Sequence, residues 1–213
     1  MIIPREKPYF DDLNGYYLKL EKFVGHMQAE IRSGCVYCRS SSQELLIYFN
    51  EYEIIRCIVQ DRGQPARSRS NLNELIDAFG KKPFFVSVHY LDLNAVYFWA
   101  QIPPFQTKLT TEETRNISFP DLVKQYTDRQ FPGFIDVRFK SGQSGLLFFK
   151  QGNRTGGSYS WGHGGLSPWE KDYQSLLYLL EKERSNIKVG QFAMGSDPMI
   201  VPQTNVAPIR ATA

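Results

Sequence analysis

A stretch that repeats itself constrains this chain more than any other feature. Gly34-Cys-Val-Tyr-Cys-Arg39, a short polar loop and the apolar run Leu45-Leu-Ile-Tyr-Phe49 recur about 100 residues later. The second copy reads Gly133-Phe-Ile-Asp-Val-Arg138, a loop, then Leu146-Leu-Phe-Phe149. Each copy has the pattern of a strand, a turn and a strand, and the apolar second arm suits a buried sheet position. The flanks repeat as well. Ahead of the second hairpin, Ser118 is placed to cap a helix and Pro120 to sit in its first turn. Leu122, Val123 and Tyr126 follow at helical spacing until Pro132-Gly133 stops the run. Ahead of the first hairpin, Leu20, Phe23, Val24 and Met27 occupy comparable positions, with Gly34 closing. Behind the hairpins, helices are expected over 71–79 and 168–184. Strand-like runs come after them, at 84–90 and 95–102 in the first copy and 187–194 in the second.

Paired strands flanked by helices give an α+β class: two related modules, each a mainly antiparallel sheet flanked by helices. The expected division is a first module over 1–102, a Pro-Pro then Thr- and Glu-rich linker over 103–116, a second module over 117–194 and a flexible tail over 195–213. With 42% hydrophobic residues in 213, the chain buries a real core. Its 15 Phe and 12 Tyr favour half-buried pleated surface. A net charge of +3 lacks the basic footprint of a nucleic-acid binder. The one basic stretch, 61–69, has no neighbouring aromatics for base stacking and reads as a solvated loop. No apolar run approaches the ~20 residues of a membrane span, and with no apolar stretch after a basic start at residues 1–8 a secretory signal is not expected. Three cysteines, an odd number, argue against a disulfide framework, so reduced thiols and a cytoplasmic setting are expected.

The second copy carries a family resemblance. Ile117-Ser-Phe-Pro-Asp-Leu-Val-Lys-Gln-Tyr126 precedes Gly133-Phe-Ile-Asp-Val137, then Gly145-Leu-Leu-Phe-Phe-Lys-Gln-Gly152. Gly156-Gly157-Ser-Tyr and the helix around Ser175-Leu-Leu-Tyr-Leu-Leu180 complete the pattern. This resembles the bacterial domain of unknown function 4388, related to the PATAN domains of response-regulator proteins. The resemblance covers 117–194 and extends more loosely over 17–102, where Asn50-Glu51-Tyr52 departs from the strand-end Gly. It is a scaffold pattern without catalytic residues. What it implies is a signalling or protein-interaction module without enzymatic activity.

The residues that invite chemistry have simpler readings. Cys35 and Cys38 stand three apart on a strand, so their thiols point to opposite faces and cannot chelate one ion without a turn. They are expected as buried structural thiols, with Cys57 on the next strand sharing their core. The glycines of 152–158 lack the Lys of a phosphate loop and read as a tight turn with close backbone packing. Three scattered histidines give no metal-ligand spacing, and no nucleophile elbow is present. No catalytic, cofactor or metal residues are therefore expected. Carboxylates such as Asp11 and Asp12 read as solvated. Two segments remain as interaction candidates. The Gly-rich loop 161–169 carries Trp161, His163 and Trp169, and the following helix carries Leu176, Leu177 and Leu180. The functional expectation is a non-enzymatic protein-interaction module of a bacterial regulatory pathway, with a protein partner and room for homo-oligomers. The alternative is a small-ligand sensor using the 161–169 loop as lid.

Overall fold

The computed structural model describes residues 1–69, 71–103, 105–108, 118–167 and 170–193. In chain order the first part runs β1 (Phe10–Asn14), a 3-10 turn (Gly15–Tyr17), α1 (Leu20–Ile31), β2 (Gly34–Arg39), β3 (Gln43–Phe49) and β4 (Ile54–Asp61). It continues with β5 (Arg67–Arg69), α2 (Asn73–Phe79), β6 (Phe85–Tyr90) and α3 (Leu93–Ala100). The second part runs β7 (Phe105–Lys108), α4 (Phe119–Asp128), β8 (Gly133–Phe139), β9 (Ser144–Lys150), β10 (Asn153–Tyr159), α5 (Glu170–Lys182) and β11 (Ser185–Phe192). The fold is α+β with two antiparallel sheets, ordered β1-β6-β2-β3-β4-β5 and β7-β11-β8-β9-β10.

The two sheet orders are the same path taken twice, with β5 as the one addition. Register matches too: Val36 lies opposite Ile47 and Val88, and Ile135 lies opposite Leu147 and Val189. Val36 and Ile135 therefore occupy equivalent nodes. The glycine that opens each hairpin has one physical cause in both copies. A Cβ on Gly34 would run into the carbonyl oxygen of His89, and one on Gly133 into that of Gly190, on the equivalent neighbouring strand. Only a residue without a side chain allows that approach. Where the second copy turns on Gln151-Gly152, with Gly152 at φ +77°, the first turns on Asn50 instead. Asn50 Oδ1 accepts from the Tyr52 and Glu53 amides at 2.8 and 2.9 Å, so a side chain replaces the glycine's backbone freedom.

Strand alternation divides each sheet into an outer and an inner face. On the outer face of the first, α1 and α2 cover Val36, Cys38, Leu45, Ile47 and Val86. On the outer face of the second, α4 and α5 cover Ile135, Val137, Leu147 and Phe149. The inner faces look toward each other. Cys35, Leu46 and Tyr48 share one cluster with Phe134, Leu146 and Phe148, and α3 wedges between them. Trp99 meets Phe148 edge-on at 5.2 Å.

That wedge explains the main departure from the expected elements. The run 95–102 reads as a strand because it is apolar on all sides, yet 93–100 is helix. Asp92 caps it, accepting from the Ala95 amide at 2.7 Å, and the helix hides its period because Leu93 and Tyr97 on its exposed side are apolar too. Part of the expected linker is likewise structured, since Phe105–Lys108 forms the edge strand of the second sheet against β11. The expected linker residues 109–116 and tail 195–213 lie outside the described residues. Ser118 does cap α4, with Pro120 in the first turn. The three cysteines are free and buried. Cys35 faces inward, whereas Cys38 and Cys57 share the outer core, so Cys57 joins only one of its two expected companions. Burial pushes the Cys57 thiol up to about 12.

Candidate functional site

The loop singled out in the sequence serves as a clasp. Trp161 is partly buried, stacks on Tyr159 with centroids 5.1 Å apart, and donates from Nε1 to Asp172 at 3.2 Å. Ser167 also donates to Asp172 through its hydroxyl, and Gly157 and Ser167 exchange main-chain hydrogen bonds. At the loop tip, Gly164 (φ +86°) accepts from the Asp92 amide at 3.0 Å. A Cβ there would meet the Tyr90 ring at 2.7 Å, so the loop is pressed onto the β6–α3 junction of the first module. His163 is exposed, and Trp169 lies outside the described residues. On α5, Leu176 is fully buried in the core of the second sheet, and Leu177 and Leu180 pack partly buried against it. Trp161 and the three leucines thus share one apolar cluster, while His163 stands apart.

A second feature, with no counterpart among the expected sites, lies where the inner faces separate. The N-terminal segment threads between the sheets, with Ile2 in the shared cluster and Glu6 buried. Arg5 Nη2 comes within 2.9 Å of Asp136 Oδ1 on β8, an ion pair without hydrogen-bond alignment, and Arg138 Nε donates to Asp136 Oδ2 at 3.1 Å. The Arg5 amide donates to Ser158 Oγ at 2.8 Å, and that hydroxyl donates to the Glu6 carboxylate at 2.7 Å. These contacts tie the start of the chain to the second sheet. Toward the first sheet, the main chain of Glu6 lies by the His89 imidazole on β6 and favours its charged form, against the burial that opposes it.

Between these groups and β1 lies a cleft of about 310 Å³. Arg5, Glu6, Asp11, Asp12, Ser87 and His89 line it, and Ser144 closes it from the second sheet. The geometry comes from a bulge in β1 between Phe10 and Leu13, where Asp12 adopts φ +50°. Ser87 Oγ donates to Asp11 Oδ1 at 2.8 Å and accepts from the Asp12 amide at 3.2 Å, which fixes both aspartates at the rim. Asp12 also pairs with Arg39 at 2.8 Å on the exposed side.

Desolvation dominates the electrostatics of the cleft wall. Burial pushes the Glu6 carboxyl up, against the pull of the Ser158 hydroxyl. It takes His89 down to about 4, so the ring is neutral at physiological pH. Burial also lowers Arg5 against the opposing charge of Asp136. Two atoms of this wall have no hydrogen-bond partner: His89 Nδ1, on a side chain 4% exposed, and Arg5 Nε. The nearby Cys35 thiol is pushed far up by burial and by the Glu6 charge, which holds it in the protonated form. Among the described residues, no group of three or more His, Cys, Asp and Glu is placed to hold a metal ion. No helix among the described residues is long and apolar enough to cross a membrane.

Sequence reasoning reads Asp11 and Asp12 as solvated and leaves Arg5, Glu6 and Asp136 unassigned. One signal was available. In Phe85-Val-Ser-Val-His-Tyr90, valines fill one face while Ser87 and His89 fill the other, and that second face is buried. Comparison with protein-family models, curated proteins and solved structures gives no match.

Proposed function

We propose that this chain is a non-enzymatic regulatory module of a bacterial signalling pathway, acting through contact with a protein partner. The observation that carries the reading is a cluster of exposed aromatics at the open edge of the first sheet. Tyr16 and Tyr17 are 75% and 85% exposed and meet edge-on at 4.9 Å, and Phe85 on the neighbouring strand is half exposed. Large aromatic rings left in water stabilise an interface when a partner covers them. The bacterial setting rests on the resemblance of 117–194. The surface lies at this edge because Trp161 and Leu176 are spent on the module's own core. A Tyr16→Ser/Tyr17→Ser variant should keep the wild-type melting profile and lose partner capture in affinity purification. Equal capture by both forms would sink the edge as the docking surface.

A second reading, the small-ligand sensor, is favoured by the inter-sheet cleft. Pockets at the seam of two modules, with convergent polar groups, are common ligand sites. In this reading the ligand site is the cleft beside His89, and the 161–167 loop is the adjoining clasp.

A further inference from the structure

On the side of β4 and β5, the layer between the sheets holds a second cavity of about 40 Å³. It shares no lining residue with the cleft beside His89. Leu46 and Ile58 from the first sheet, Trp99 from α3 and Phe105 from β7 give it apolar walls. Tyr48 and Arg56, opposite each other on β3 and β4, supply its polar side chains. Arg56 is partly buried, and no carboxylate among the described residues bears on its charge. Four of its five N–H groups are taken, two by the Ala100 and Ile102 carbonyls at the end of α3 and two by Ser68 Oγ. One hydrogen of Nη2 is left over. Carbonyl dipoles offset part of the cost of a charge out of water, and an anion in contact offsets more. The Tyr48 hydroxyl makes no hydrogen bond among the described residues, yet it is not one of the sealed polar atoms of the interior. Burial holds the phenol protonated, so it has a hydrogen to donate, and the charge of Arg56 acts on it.

We propose that this cavity binds a short-chain aliphatic carboxylate, its tail among Leu46, Ile58, Trp99 and Phe105 and its carboxylate held by Arg56 Nη2 and the Tyr48 hydroxyl. The proposal goes beyond both readings above and depends on neither. Volume sets the tail. An apolar cavity of about 150 Å³ takes benzene, so one of about 40 Å³ takes about two carbons, the tail of propionate. Charge sets the head. An alcohol brings no anion to Arg56, and an alkylamine brings a second cation to a group that already lacks a counter-ion.

The test uses the full chain, with sodium propionate as probe and 1-propanol and propylamine as controls of the same carbon count. Methyl NMR signals of Leu46 and Ile58 read occupancy at constant ionic strength. The expected result is a saturable shift of both residues with propionate and none with either control. Tyr48→Phe keeps the ring and loses the hydroxyl, so affinity should fall about tenfold, the worth of one hydrogen bond to a charged group. Ala66→Phe fills the cavity from the loop before β5, leaves Tyr48 and Arg56 in place, and should abolish the shifts. Should Ala66→Phe fail to fold, the affinity of Tyr48→Phe decides. Equal shifts with 1-propanol would make the cavity a plain apolar hole and overturn the carboxylate. Propionate shifts that are absent, that never saturate, or that persist unchanged in the folded variants would overturn it as well.

Discussion

The neutral His89 ring makes the fold sensitive to acid in a way that can be worked out in advance. Burial lowers its pKa from 6.5 to about 4, so between those values the unfolded chain binds a proton that the folded chain refuses. Stability from this group is fully present above pH 6.5, falls as pH drops through that window, and is gone near pH 4. The size of the effect follows from 1.36 kcal/mol per pH unit and comes to about 3 kcal/mol. Glu6 acts in the other direction. Its folded pKa is raised, so it contributes stability at low pH that is lost as pH rises past the ordinary carboxylate range. The charges of Asp11 and Arg5 also act on the ring, the first raising its pKa and the second lowering it. A His89→Gln variant separates these contributions, because the side-chain amide is polar but does not titrate. Urea unfolding of both proteins from pH 4 to pH 8 should give a wild-type-minus-variant difference that climbs by about 3 kcal/mol across the window. A difference that stays level within about 0.5 kcal/mol would refute the argument, and would mean that water reaches the ring in solution.

Three further outcomes follow from the packing. Asp136→Ala should destabilise by about 3–5 kcal/mol in urea, because it strands the Arg5 guanidinium, whereas Arg5→Met/Asp136→Leu should recover most of that loss. Gly25 on α1 has nothing within reach of an added Cβ, so Gly25→Ala should raise stability by about 1 kcal/mol. Gly133→Ala should lower it by more than about 2 kcal/mol, since the methyl meets the Gly190 carbonyl and the Phe131 ring, and a shared sign for the two changes would contradict the structure. Leu176→Ala should cost about 2–5 kcal/mol and the partly buried Leu180→Ala clearly less, measured as midpoint shifts in denaturant.

Local signals were enough for each module by itself. The helical spacing of Leu122, Val123 and Tyr126, the Ser118 cap and the alternation in both hairpins are short-range facts, decided by propensity and by which side chains share a face. The repeat then carried the same elements to the first copy, where a common path through the sheet places Val36 and Ile135 alike. The inner layer was not legible in this way. Residues 93–100 show no clear amphipathic period because Leu93 and Tyr97, on the exposed side of α3, are as apolar as the side facing the sheets, and a segment without a period can be strand or helix until its neighbours are known. Trp161 and Leu176 look like docking groups for a related reason: an apolar face has the same pattern whether it meets a partner or its own sheet.

The cleft depends still more on tertiary structure. Arg5 and Asp136 lie far apart in sequence, and Glu6 is no different from a solvated carboxylate until the second sheet closes over it. The chain by itself determined two α+β modules, because helix and strand periods are written residue by residue. The stacking of the modules face to face decided the rest: which polar residues lose water, which nitrogen of His89 lacks a partner, and where an open volume remains between the sheets. Those are properties of how surfaces meet, and desolvation acts only once they have met.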